Sequence, residues 1–356
     1  MWGGWDKMDK QIYIQKLEEL KQECNKIPDT IMGMNIKINS LITLNMRYEL
    51  IQLNRNLKNH PYTLTKDIIQ DSINEIKAKK ETLFIEDDNK VFVQKKIKKE
   101  EKHKKLWNEL WNKYHLNSYI NKTERYEYRI KINNLNELIK DKKVLDIGCG
   151  QGTFTVAMMK AGAREVTGID FSEDSIEFAD NISKKLNLDK DKIKYITSSV
   201  YELPFEDETF DFIIQNGVFH HLENIDKALK EANRILRNEA YFWYYTDGSG
   251  GISHILWDYS NEILKNVPIE HIQKVLRMMN ISDNKCYHLS DGFKAIYEHS
   301  TYKEVIDLLN KYGFKFEKRL KGGFETDMDG EIWEKDEYAK EKFGEGDLRI
   351  LFKKVK

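Results

Sequence analysis

The chain has 356 residues, with 58 Lys plus Arg against 59 Asp plus Glu and a formal net charge of -1. That length exceeds one typical domain and permits two sizeable cores, while the near balance of charge gives no global field drawing the chain to nucleic acid or a membrane surface. Cys24, Cys149 and Cys286 show no C-x-x-C spacing, so neither a disulfide framework nor a cysteine metal site is indicated, and a cytoplasmic setting is expected. No apolar run reaches the roughly 18 residues needed to span a bilayer, and the start, Met1-Trp2-Gly3-Gly4-Trp5-Asp6-Lys7, lacks the basic-then-apolar pattern of a secretory leader.

Residues 8–83 read as helical. Ile12, Ile14, Leu17, Leu20 and Cys24 fall at helical spacing up to Pro28. A second helix is expected from Ile31 to Leu57; Ile36, Ile38, Leu41, Leu44, Met46 and Leu53 give it a broad apolar face suited to packing against other helices. Pro61 is expected to end that stretch, with a third helix beginning at Thr65. Leu83–Val93 suggests a short hairpin around Asp88-Asn89. Lys95–Lys105 then carries seven lysines in eleven residues. Glutamates interrupt this run and no aromatic residues interleave to stack bases, so a solvated linker is favoured over an RNA grip. Residues 1–105 are therefore expected to form a helical N-terminal domain and basic linker, serving homo-oligomerisation or covering an active site.

Leu106–Tyr114 and Thr123–Ile130 read as helices leading into a region where strands and helices alternate. Strands are expected near 143–147, 165–169, 193–198, 210–215 and 240–246, followed by a pair at 314–320 and 348–353. The first five imply a parallel sheet with ligands at the carboxyl ends of its strands. Segments 250–312 and 322–346 look like insertions, with helices starting near Ile252, Pro268 and Thr301; Thr301-x-x-Glu304 has the form of a capping box.

The chemistry concentrates where the first strand ends. Val144-Leu145-Asp146-Ile147 runs into Gly148-Cys149-Gly150-Gln151-Gly152, and the next strand ends in Asp170. Glycines permit a tight turn and close backbone approach to a ligand, and an acid closing the second strand accepts hydrogen bonds from ribose hydroxyls. Asp146 stands two residues before the first glycine, where it would repel a pyrophosphate but suit an ammonium or sulfonium. Cys149 reads as a small filler of the turn, since no basic partner is near it in sequence.

These residues resemble the first motif of the class I S-adenosylmethionine-dependent methyltransferases, in particular their small-molecule (type 11-like) branch, over residues 106–356. Asp170-Phe171-Ser172 corresponds to the ribose-binding second motif. Thr197–Phe205 corresponds to the third, with Leu203-Pro204-Phe205 present and Ser199 where an adenine-binding aspartate is usual; the Val200 backbone can still serve the ring. Thr209–Leu222 resembles the fourth motif, ending in Asn216, Gly217 and the pair His220-His221. The resemblance implies a Rossmann-like α/β fold, a seven-stranded sheet with helices on both faces, beside the N-terminal helical domain. It implies S-adenosyl-L-methionine as cofactor, held by Asp146, Gly148, Cys149, Gly150, Gly152, Asp170, Phe171, Ser199, Val200, Asn216, Gly217 and His221. Tyr114, Tyr119, Arg125 and Arg129 are candidates for the methionine carboxylate, as that region closes over the cofactor in the resembling enzymes.

Methyl transfer from a sulfonium chiefly demands orientation and exclusion of water. A base is needed where the acceptor loses a proton, and His221, His254 and Asp247 are the candidates. The Asn/Asp-Pro-Pro-aromatic motif of base-methylating enzymes is replaced by Gln215-Asn216-Gly217-Val218, which disfavours nucleic acid. No metal-ligand pattern is visible. The expected partner is a small-molecule methyl acceptor such as a sugar, polyketide or amino-acid-derived metabolite. A tRNA or protein methyltransferase, and a non-catalytic cofactor-binding assembly protein, stand as alternatives.

Overall fold

A computed structural model describes residues 5–81, 116–295, 297–324, 327 and 336–355. The expected hairpin at 83–93, the lysine run, the helix at 106–114 and Tyr114 lie outside the described residues. The helices are α1 (Trp5–Asn25), α2 (Ile31–Leu53), α3 (Pro61–Glu81), α4 (Leu116–Ile132), α5 (Asn136–Ile139), α6 (Thr153–Lys160), α7 (Glu173–Lys185), α8 (Ile225–Ile235), α9 (Gly251–Ile263), α10 (Ile269–Met278), α11 (Asp283–Lys294), α12 (Tyr302–Lys311) and α13 (Ala339–Phe343). The strands are β1 (Lys143–Ile147), β2 (Glu165–Asp170), β3 (Ile193–Thr197), β4 (Phe210–Asn216), β5 (Leu236–Asp247), β6 (Phe314–Arg319) and β7 (Asp347–Lys354). No described helix is long and apolar enough to cross a membrane.

The chain divides into two units. Met1–Ile97, Gly250–Ile296 and Glu334–Gly344 form the first; Lys98–Ser249, Tyr297–Trp333 and Glu345–Lys356 form the second. The segment 250–312, read from the sequence as one insertion, is thus divided at Ile296.

In the first unit, Tyr13, Leu17, Leu20 and Cys24 of α1 are buried at the spacing of one helical face. They share a core with Ile38, Leu41 and Ile42 of α2, Ile69 and Ile73 of α3, and Ile252, Leu256, Ile272, Leu289 and Phe293 of the later segment. Thr30 caps α2, its hydroxyl accepting the Gly33 N–H at 3.1 Å. Pro61 opens α3 rather than preceding it by four residues, because a missing N–H costs nothing in a first turn. Two buried polar groups in this unit are paired: Tyr13 Oη donates to the Ile252 carbonyl at 3.2 Å, and Lys342 Nζ pairs with Asp336 at 2.7 Å.

The second unit is built on a sheet of seven strands among the described residues, ordered β3-β2-β1-β4-β5-β7-β6. The strands β1 to β5 run parallel, and β7 is antiparallel to both β5 and β6. The reversed strand therefore lies one place in from the edge, which β6 occupies. Both faces are covered: Ile213, Phe242 and Ile350 pack with Ala228, Leu229 and Leu309 on one, and Phe212, Trp243 and Leu351 with Ile130 and Met158 on the other. The chain order reverses between β1 and β4, the place where open parallel sheets leave a crevice for ligands.

Candidate active site

The glycine turn after β1 is fixed by φ angles of +69°, +52° and +77° at Gly148, Gly150 and Gly152, a region that side-chain-bearing residues rarely adopt. A Cβ on Gly148 would collide with the Val218 side chain, and one on Gly152 would stand 2.6 Å from Tyr195 Oη. Above Gly150 there is open space. The turn is tied to β2 through Cys149 N–H, which donates to the Ile169 carbonyl at 2.8 Å.

Asp170 closes β2 with both carboxylate oxygens engaged by backbone. Oδ2 accepts from Gly150 N–H and Oδ1 from Ser172 N–H, each at 2.9 Å. Ser172 then caps α7, its Oγ accepting from Ser175 N–H. Asp146 lies beneath the turn, 2% exposed, accepting the Thr155 hydroxyl at 2.6 Å. Burial pushes its carboxyl up to about 7; the Thr155 hydrogen bond opposes the rise and the charge of Asp170 adds to it. The Cys149 thiol is pushed well above its usual value by burial and by Asp146 and Asp170, which removes it as a thiolate nucleophile.

A pocket opens at the carboxyl ends of β1 to β4. It is lined by Gly148, Asp170, Phe171, Ser199, Val200 and His221 from the sequence-derived set, and also by Ile147, Ile169, Ser198, Tyr201, Val218 and Leu222. Asp146, Cys149, Gly150, Gly152, Asn216 and Gly217 frame it without lining it. Of the residues missed by sequence reasoning, Val218 is placed by Gln215. That fully buried side chain accepts from Val218 N–H (3.1 Å) and Phe219 N–H (3.3 Å) and donates to the Tyr245 carbonyl (2.9 Å). Tyr201 is anchored by Glu223 N–H and Asn224 N–H, both donating to its Oη. Neither bond has a signal in local sequence.

Two buried polar side chains belong to the region of the turn. The Tyr119 hydroxyl of α4 has no hydrogen-bond partner among the described residues, and burial raises its pKa, as do the charges of Cys149 and Asp146. The amide of Gln151, within the turn itself, is 5% exposed and likewise without partners among the described residues. Arg129 instead pairs with Asp327 at 2.5 Å and donates from Nε to the Gly322 carbonyl, while Arg125 stacks on Phe324 and lies 3.6 Å from Asp327.

The three candidate bases are placed differently. His221 lines the pocket, its Nε2 2.9 Å from His220 Nε2, so one ring donates and the other accepts; His220 Nδ1 meets Thr246 Oγ1 at 3.2 Å. Asp247 is the last residue of β5 and accepts the Tyr245 hydroxyl at 3.0 Å. His254 belongs to the first unit, in the first turn of α9, where Nδ1 donates to the Gly250 carbonyl at 2.5 Å.

Residues 145–244 match the family described as a methyltransferase domain. Demethylmenaquinone methyltransferases of Staphylococcus aureus, strains MRSA252 and JH9, are each 34% identical over 145 residues, which is 40% of this chain and 58% of theirs. The match thus spans little more than half the length of these curated relatives. Among solved structures, a Burkholderia thailandensis 1,6-didemethyltoxoflavin-N1-methyltransferase with bound 1,6-didemethyltoxoflavin and S-adenosylhomocysteine is 16% identical, covering 77% of this chain and 99% of its own, with a TM-score of 0.45. A putative S-adenosyl-L-methionine-dependent methyltransferase of Methanococcus maripaludis is 21% identical, covering 74% and 98%, with a TM-score of 0.42.

Proposed function

We propose that this chain is an S-adenosylmethionine-dependent methyltransferase acting on a small-molecule acceptor, a reading supported by the match of residues 145–244 to the methyltransferase-domain family. The observation that carries the reading is the Asp170 carboxylate. It is held at the end of β2 by the Gly150 and Ser172 amides and lines the pocket. A carboxylate so fixed keeps lone pairs for ribose hydroxyls without rearranging.

The pocket lining suits the nucleoside part of the cofactor. Phe171, Val200 and Leu222 offer apolar walls to a flat base, and the Tyr119 hydroxyl and Gln151 amide, without hydrogen-bond partners among the described residues, support a polar end near the turn. Asp146 supplies a carboxylate beneath the turn, complementary to a cationic ligand. When bound, S-adenosylmethionine supplies an electrophilic methyl on a sulfonium. The protein's share is orientation and exclusion of water, and the apolar lining serves both. The curated relatives are named for methylating demethylmenaquinone, which supports a small-molecule acceptor over a macromolecular one.

Calorimetric titration with S-adenosylmethionine and S-adenosylhomocysteine tests the reading. The purified chain is expected to bind both, and Asp170→Ala to weaken each by about 10- to 100-fold, as loss of charge-assisted hydrogen bonds implies. A folded wild-type protein that binds neither compound would end the proposal.

A further inference from the structure

The helix α2 of the first unit carries a pattern that its own fold does not use. Met32, Ile36, Asn39, Thr43, Met46, Leu50 and Leu53 recur at alternating steps of four and three, which sets them in one line along the helix. Met32, Met46, Leu50 and Leu53 are exposed, Leu50 at 74%, and the other three are half-buried. Met34, Leu41 and Tyr48, on the opposite side, fill the core of the unit. A helix that is apolar all round belongs in a covered place. Steps of four and three are the spacing of a seam closed by a second helix.

Charge decides what kind of body suits that seam. Lys37, Arg47 and Glu49 are the charged residues of α2, and each is paired within the unit. Lys37 is buried and meets Asp29 at 2.6 Å. Arg47 and Glu49 flank the seam on opposite sides; Arg47 meets Asp71 of α3 and Glu49 meets Lys285 of α11, each at 2.6 Å. An anionic membrane surface or a nucleic acid calls for a surplus of cations beside the apolar strip, and here each flanking cation has its carboxylate. Each flank instead offers one charge of either sign. A copy related by a two-fold axis then sets plus against minus on both sides, with apolar side chains meeting along the middle.

We propose that α2 is the seam of a homodimer, in which the exposed side of one copy packs along the same side of a second. The inference stands apart from the methyltransferase reading, since every residue in it belongs to the first unit. Asn39 and Thr43, the polar members, lie mid-seam, where a polar side chain favours one register at a cost in affinity. One helix from each copy, 23 residues and about 34 Å long, makes a small interface. The dimer is therefore weak, with a dissociation constant expected between about 1 and 100 μM.

Sedimentation velocity on the full chain, from about 1 to 200 μM, is expected to follow a shift from monomer to dimer. Leu50→Arg puts an unpaired cation into the seam of each copy and should weaken association by about 100-fold or more. Leu50→Gln, similar in size and uncharged, should weaken it by about 10-fold and carries the test where the arginine variant fails to fold. Because Leu50 is exposed within one copy, both variants should keep the wild-type urea midpoint at the lowest concentration. A wild type that stays monomeric at 200 μM overturns the proposal. So does a dimer of undiminished strength in both variants, which would place the interface elsewhere. A monomer that binds phosphatidylcholine vesicles, and loses them in Leu50→Arg, overturns it too by making a lipid surface the occupant.

Discussion

Asp146 combines burial, a carboxyl pushed up to about 7 and a place beneath the glycine turn. Its unfolded value is about 3.9, so between about pH 4 and 7 the folded chain binds more protons than the unfolded one. Its ionisation therefore costs stability as pH rises through that window. A cationic ligand reverses the preference by favouring the carboxylate, and binding must then expel a proton below about pH 7. Affinity for S-adenosylmethionine is expected to fall by up to about tenfold per pH unit there, and the fall should flatten in Asp146→Asn. Titrations from pH 8 to 5.5 check this, and parallel profiles for the two proteins would refute it. The sequence revealed this residue through its place two positions before Gly148. It did not reveal Thr155 as its partner or the buried phenol of Tyr119 near it, because those contacts arise from helices laid against the strand.

At the scale of elements, local rules were sufficient in most places. The expected strands recur at β1 to β7 within a few residues, because apolar runs bounded by glycine or polar turns carry their own period. Thr301 and Glu304 form the expected capping box on α12, with the Thr301 hydroxyl accepting the Glu304 N–H at 3.2 Å. Thr301→Ala is expected to destabilise the folded chain by about 1 kcal/mol, read as a lower urea midpoint with an unchanged slope; an unaltered midpoint would count against the cap. Several boundaries departed from expectation; the helix read over Thr123–Ile130 runs from Leu116 to Ile132. The helix read to Leu57 stops at Leu53, and the next begins at Pro61. Asn54 caps the first with an extended backbone, and proline is tolerated as an opening residue.

For the whole molecule, the organisation of the first unit was the least legible feature. Its core joins α1, α2 and α3 to residues more than 150 positions away, among them Ile252, Leu256, Ile272 and Phe293. Amphipathic periodicity states that a helix has a face to bury but not which partner buries it. Removing residues 1–97 is therefore expected to expose the apolar faces of α9 to α11, giving a product that binds a hydrophobic dye strongly or aggregates. A truncated chain that is soluble, monomeric and dye-negative would refute that account. The sequence by itself determined the glycine turn, Asp146, Asp170 and the positions of the strands in the parallel half, since each depends on backbone freedom, charge or period within a short stretch. The tertiary structure decided which residues line the pocket, how Gln215 and Tyr201 hold its wall, and how Tyr245 joins Asp247 to Asp347. Those are contacts between strand ends far apart in the chain, and chain-local propensity carries no record of them.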